Sequence, residues 1–211
     1  MKNTLIIFSI IWLLISCEKD ISDIIDYSDF ASLNDSSLYT TLSPSIEYDY
    51  FELRWSECGD SSYRIEYSRG ELCSPDSDTS LYYKEWESVY SENGFFTRGL
   101  PGCSHNYFVS KIDDQIQIYN NPEIVISFLQ PIDSPSDALM VAFAQGYYFR
   151  YGDSTAGGIK YLGDMYQVIV LKLVEICVPV QINKYLLEIN SDGDIEILEI
   201  DIYEQDYGSC I

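Results

Sequence analysis

Apolar and polar residues in this chain alternate more often than they recur at helical spacing. Phe51, Leu53 and Trp55 alternate with Glu52, Arg54 and Ser56, the period of a half-buried strand. Ile46, Tyr50 and Leu53 also fall at i, i+4 and i+7, so a helix is the alternative there. Tyr63, Ile65 and Tyr67 are expected on one face of a second strand. Tyr82–Val89 and Phe95–Thr97 read as further strands, and Ile124–Leu129 as a short β-branched core strand. Tyr107–Lys111 and Gln115–Tyr119 flank Asp113-Asp114, a hairpin signal that Asn120-Asn121-Pro122 ends.

The C-terminal part carries the clearest pattern. Ser134 fits a helix N-cap, with Pro135 at the first helical position and Asp137 at the third. Ala138, Leu139, Val141, Ala142 and Phe143 follow, and Gly146 stops the helix. The helix is apolar nearly all round, so it is expected to lie against a sheet. Tyr147–Tyr151 reads as strand. Tyr166–Cys177, Lys184–Asn190 and Ile195–Tyr203 then read as three antiparallel strands, with Asp192-Gly193 the strongest hairpin signal in the chain. The fold class expected is α+β, mostly antiparallel β: a strand-rich N-terminal half, and a short helix packed on a C-terminal antiparallel meander. The expected division is a β-rich module over 46–130 and a helix-plus-sheet module over 131–211. Asp137-Ala138-Leu139…Ala142 and Ile189-Asn190-Ser191-Asp192-Gly193-Asp194-Ile195 resemble pieces of PepSY-like and cystatin-like small modules. That likeness implies an architecture and transfers no catalytic residue. Trp55, Tyr63, Tyr67 and Cys73 resemble the spacing in an uncharacterised domain family of bacterial lipoproteins, which likewise implies no activity.

The N-terminus is of another kind. Lys2 precedes the apolar run Leu5–Ile15, which is too short for the roughly 20 residues a bilayer-spanning helix needs. A charged start and a short apolar run read as a signal peptide over 1–16. Leu14-Ile15-Ser16-Cys17 resembles the bacterial lipobox. The resemblance implies cleavage between Ser16 and Cys17 and lipid attachment at Cys17. Several acyl chains give stable anchoring, at about 0.8 kcal/mol per buried CH₂. Glu18-Lys19-Asp20 resembles the acid-containing signal that directs lipoproteins of Bacteroidota-type bacteria to the outer face of the outer membrane. Residues 17–45, rich in Ser, Thr, Asp and Asn, are expected to form the lipidated cysteine and a flexible tether.

Charge narrows the partners. The 211 residues carry 12 Lys+Arg and 34 Asp+Glu, a formal net charge of -22. Loss of Lys2 with the signal leaves 11 basic residues against 34 acidic ones, or -23. Such a field repels phosphate backbones and argues against nucleic acid. The expected attachment is to a membrane through lipid, with the body held off the surface.

Removing Cys17 from the six cysteines leaves five. The meander places Cys177 at the end of its first strand and Cys210 a few residues past its third, at the same end, so a Cys177–Cys210 disulfide is expected. Cys58, Cys73 and Cys103 allow one further bond. Cys58–Cys103 and Cys73–Cys103 both join turns, and Cys73–Cys103 is the pairing favoured. No CxxC or HxxxH spacing points to zinc, and no metal or other cofactor is expected. G-x-S-x-G, P-loop, GxGxxG and HExxH motifs are absent. His105, the single histidine, sits in an apparent loop, and no catalytic residue is assigned. Asn190–Asp194 reads as a tight turn more readily than as a calcium loop. Aromatics make up 15% of the chain, through 19 Tyr, 9 Phe and 3 Trp, which suits strand filler or an exposed binding platform. The expected function is non-enzymatic binding of a protein or glycan partner by a surface lipoprotein. A structural envelope role is the alternative, and a carboxylate-dependent hydrolase comes third.

Overall fold

A computed structural model describes residues 26–72, 79–98, 103–113, 115–208 and 210. The fold is a strand-rich α+β arrangement of two antiparallel sheets with short helices. The first sheet contains β2 (Tyr50–Glu57), β3 (Arg64–Gly70), β4 (Phe95–Arg98), β5 (Ser104–Ile112) and β6 (Gln115–Tyr119). Its order is β3-β2-β5, and β4 and β6 share the far edge of β5. The second sheet runs β1-β7-β8-β9-β10: Ala31–Ser32, Gly158–Tyr161, Met165–Ile176, Val180–Asn190 and Ile195–Asp206.

One continuous core lies between the sheets. Phe51, Leu53, Phe95 and Phe108 enter it from the first sheet, and Val168, Val170, Leu187 and Ile189 from the second. Helices α2 (Pro122–Leu129) and α3 (Pro135–Ala144) supply Val125, Phe128, Leu129, Leu139 and Met140. Each fully buried side chain of this kind contributes roughly 1.5–3 kcal/mol. The core crosses the expected 130/131 boundary without a break.

Helix α3 forms as its sequence signals direct. Ser134 Oγ accepts from Asp137 N at 3.1 Å, and the Asp137 carboxylate accepts from Ser134 N at 3.2 Å, closing a capping box. The Asp192-Gly193 hairpin also forms, with Gly193 at φ +78. A Cβ there would meet Ile126 Cγ2 at 2.6 Å, so the turn seats closely on α2.

Four local expectations are corrected. Ile124–Leu129 is helical, not a strand: Asn121 caps α2 through Ile124 N at 3.0 Å, and Pro122 occupies its first turn. The buried set Val125, Phe128 and Leu129 has helical spacing, and this outweighs the β-branched composition. Tyr82–Val89 belongs largely to α1 (Thr79–Ser88), which lies on the outer face of the first sheet and anchors there through Trp86. Tyr63 and Tyr67 do not share a face. A register shift between Leu53 and Arg54 sends Tyr63 over Arg54 and Tyr67 onto Phe51.

The fourth correction concerns the tether. Residues 26–45 pack against the body, and Leu33, Leu38 and Leu42 are buried. Leu33 exchanges backbone bonds with Gly157 and Gly152, and Arg69 donates to Leu42 O at 2.8 Å. Ser43 N donates to Asp137 Oδ1 at 2.8 Å, so the capping carboxylate also holds this segment. Polar composition suggested a coil, but its four large apolar side chains, Phe30 with the three leucines, supply enough buried surface to order it.

Candidate functional site

Two groupings of polar and aromatic side chains stand out, and they differ in kind. The first is sealed. Arg54 and Glu52 alternate with the core residues of β2, so they lie on its outer face, beneath α1. Arg54 is fully buried. Its Nε donates to Glu52 Oε2 at 2.7 Å, and its other nitrogens donate to the carbonyls of Val89 and Trp86. Glu52 Oε1 accepts from Tyr50 Oη at 2.8 Å and Trp86 Nε1 at 3.0 Å. The guanidinium lies 3.8 Å from the Tyr63 ring centroid. Every charged group is paired and hydrogen-bonded, which is how a buried ion pair is tolerated. This cluster clamps α1 to the sheet and leaves nothing open to a ligand.

The second grouping is open. Past the end of α3, the inner face of the first sheet is no longer covered by helix. A cleft of about 250 Å³ lies there, lined by Tyr39, Trp55, Phe96, Phe143, Phe149 and Tyr151 among others. Phe96 and Phe143 stack at 3.9 Å, and Phe149 meets Tyr151 edge-on at 5.8 Å, so the walls brace one another. Trp55 and Asn106 are register partners on β2 and β5, and both point inward. Ser104 and Asn106 add polar groups to the floor. Arg64 and Glu66 stand at the rim, joined at 2.6 Å, and Arg64 sits 4.9 Å above the Trp55 ring. Burial pushes the Tyr39 phenol up to about 12, so it stays protonated at neutral pH. The cleft is smaller than the ~300–1,000 Å³ of drug-sized sites, so it suits one ring of a larger ligand. Half-exposed aromatic faces take an apolar ring face, while Arg64, Glu66, Ser104 and Asn106 offer donors and acceptors to hydroxyls around it.

Glu66 is the cleft's one carboxylate among the described residues and is held by Arg64, whereas glycoside cleavage uses two carboxyls roughly 5–10 Å apart. Ser104 and His105 are neighbours on a strand and point to opposite faces. His105, expected in a loop, is a buried strand residue. Its Nε2 lies 3.0 Å from Ser91 O, and since a carbonyl only accepts, that nitrogen carries the proton.

Cys58 is bonded to Cys103, and Cys177 to Cys210. The first bond corrects the favoured Cys73–Cys103 pairing. Glu57 pairs with Ser104 in the antiparallel β2–β5 ladder, which sets Cys58, the residue after Glu57, opposite Cys103, the residue before Ser104, and Cys58 N donates to Cys103 O at 2.9 Å. Ser16, Cys17 and Cys73 lie outside the described residues. The Asn190 side chain accepts from Asp192 N and Asp194 N at 3.0 and 2.9 Å, which makes 190–194 a closed turn. Asp153 accepts from Thr155, and these bonds hold its carboxyl below the usual range. Among the described residues, no three His, Cys, Asp or Glu side chains gather as a metal site, and no helix is long and apolar enough to cross a membrane.

Comparison with known proteins gives no match to any family, curated protein or solved structure.

Proposed function

We propose that this chain is a lipid-anchored envelope protein whose body binds a glycan without cleaving it, taking one sugar ring in the aromatic cleft. The observation that carries the reading is the cleft itself: partly exposed rings with a polar rim. A sugar ring has apolar C–H faces and a girdle of hydroxyls, which matches rings flanked by Arg64, Glu66, Ser104 and Asn106.

The anchor part of the proposal rests on Leu14-Ile15-Ser16-Cys17 and its likeness to the lipobox. It gains a geometric bound from the ordered segment. Asp26 lies nine residues after Cys17, and nine residues extend at most about 30 Å. The body is therefore held close to the lipid surface, on a shorter leash than a coil reaching residue 45 would give.

Mature protein with the signal removed keeps two tryptophans, Trp55 in the cleft and Trp86 in the buried clamp. A titration with a panel of soluble oligosaccharides is expected to change the emission of Trp55, and Trp55→Phe is expected to abolish the change while Arg64→Ala weakens binding. Binding that survives Trp55→Ala undiminished, or a panel in which no glycan binds, refutes the glycan reading; release of reducing ends refutes the non-enzymatic part. Labelling with a palmitate analogue tests the anchor separately, and equal labelling of Cys17→Ala removes it.

A further inference from the structure

We infer that the open edge of β10 is a strand-addition site for an extended, basic segment of another protein. This surface is separate from the cleft, and the inference does not rest on the glycan reading.

Strand β10 is the last strand of its sheet. One side pairs with β9 along its length, and no described strand pairs with the other. An edge of this kind presents a row of backbone donors and acceptors, and natural edges are usually blunted by lysines or other charges, proline, β-bulges, brevity or a covering element. β10 is 12 residues long, Ile195–Asp206, with no Lys, Arg or Pro.

Its four isoleucines point the same way. Ile195, Ile197, Ile200 and Ile202 are register partners of Ile189, Leu187, Tyr185 and Asn183. Directly opposed residues share a face, so these isoleucines continue the core face of β9 outward. Helix α3 packs across β8. Ile197, Ile200 and Ile202 are 46%, 53% and 59% exposed. Beside them lies a groove of about 370 Å³ lined by Ile126, Gln145, Tyr147 and Lys172 together with Ile195 and Ile197. The second sheet thus lacks one strand's worth of cover, and an added strand with alternate apolar residues supplies it.

Charge decides the occupant. Besides its isoleucines β10 carries Glu196, Glu199 and Asp201 among them and Glu204 and Asp206 beyond them. Lys184 reaches Asp201 at 3.8 Å and Arg150 reaches Glu204 at 3.2 Å. Glu196 and Glu199 have no cationic partner among the described residues, and Glu196 sits directly opposite Glu188. Like charges directly opposed destabilise a sheet, and a Lys or Arg on the next strand relieves them. A second copy pairing edge to edge would set these carboxylates against their own kind. Register shifts at Ile197/Glu199 and Ile202/Glu204 limit how far any added strand, copy or partner, can pair without a break. The occupant that fits is a segment alternating Lys or Arg with β-branched apolar residues.

The test uses the full mature chain in detergent micelles and three labelled ten-residue peptides. One alternates lysine with valine, one alternates lysine with serine, and one is the lysine–valine peptide N-methylated at alternate amides along one edge. The first is expected to bind and to slow amide exchange along β10. Ile200→Lys is expected to lower its affinity about tenfold, the loss of roughly one buried apolar anchor. The pair Glu196→Lys with Glu199→Lys is expected to weaken it comparably, and to gain affinity for a glutamate–valine peptide. Equal binding of the lysine–serine or N-methylated peptide overturns the inference, because attraction would then be charge alone. So does unchanged affinity in Ile200→Lys. Sedimentation showing a dimer that Ile200→Lys dissociates also overturns it, since the occupant would then be a second copy.

Discussion

Asp137 offers the sharpest check on the packing between α3 and the segment before β2. Its side chain is 0% exposed, yet its two oxygens accept from Ser43 N at 2.8 Å and Ser134 N at 3.2 Å. Burial pushes its carboxyl up to about 6, against the partial relief of those bonds. The folded-state value therefore lies above the unfolded one of about 3.9. A carboxyl shifted in this sense binds its proton more tightly when folded. Its ionisation weakens the fold above about pH 6, and that loss is recovered as the pH falls from 7 toward 4. Between pH 7.5 and pH 5 the recovery amounts to about 1 kcal/mol.

Asp137→Asn keeps one carbonyl oxygen for Ser43 N but turns an amide N–H toward Ser134 N. A buried donor left unsatisfied costs about 1–3 kcal/mol. The variant is thus expected to be destabilised at both pH values, and by about 1 kcal/mol more at pH 5, because only the wild type gains there. Urea unfolding at pH 5 and 7.5 with the disulfides intact measures this directly. Subtracting the variant from the wild type cancels the general relief of repulsion that a chain of charge -22 enjoys on acidification. A destabilisation that is equal at the two pH values, or smaller at pH 5, would refute the reasoning. Asp26, Asp60 and Asp153 do not confuse the result. Their hydrogen bonds from Ser28, Ser62 and Thr155 lower their carboxyls, so what they contribute is lost only below the ordinary carboxylate range.

Arg54→Met strands the buried Glu52 carboxylate and is expected to cost about 3–5 kcal/mol in thermal or urea unfolding, while the double variant Glu52→Gln with Arg54→Met loses less than the single one. Tyr107 Oη is buried with no hydrogen-bond partner among the described residues, so Tyr107→Phe is expected to be neutral or stabilising in the same assay; a loss above about 1 kcal/mol would reveal a partner for that hydroxyl. Non-reducing peptide mapping is expected to recover Cys58–Cys103 and Cys177–Cys210, with sequence separations of 45 and 33, and removal of either is expected to cost about 4 kcal/mol by loop entropy; a Cys73–Cys103 peptide would contradict the β2–β5 register.

How much of this was legible in the chain depended on whether the signal was local. Ser134, Pro135 and Asp137 make a complete helix start within four residues, and α3 follows. Asn121 and Pro122 carry much the same instruction, yet Ile124-Val125-Ile126 favours a strand on composition, and only packing of Val125, Phe128 and Leu129 decides for α2. Glu52 and Arg54 read as solvent-facing because alternate strand positions usually are, and nothing nearby announces that α1 covers that face. The cleft is less legible still. Its walls come from residues 38, 39, 55, 64, 66, 96, 104, 106, 143, 148, 149 and 151, which no periodicity links. The general signal was the aromatic content of 15%, which suggests a platform without placing it. For β10 the alternation announced a strand over Ile195–Tyr203, which runs on to Asp206, but that its far side has no described partner is a matter of sheet order and leaves no local signal.

The cleft and the β10 groove approach each other at the end of α3, and the backbone there argues that they act independently. Gly146, at φ +85, turns the chain out of the helix into an extended run. Side chains of an extended run alternate in direction. Tyr147 accordingly joins Gln145 at the groove, while Tyr148 joins Phe143 at the cleft. Tyr148 is fixed in place by two backbone bonds to Leu171 on β8, at 2.9 and 2.7 Å. Tyr147 packs edge-on against Tyr185 at 5.2 Å on β9. A ligand at one surface would have to break these strand contacts to shift the other. Trp55→Ala should therefore leave the affinity of the lysine–valine peptide unchanged within about twofold, and Ile200→Lys should leave glycan binding equally untouched. A larger cross-effect in either direction would show that the 145–149 segment has two positions, and that a partner on the sheet edge tunes what the cleft accepts.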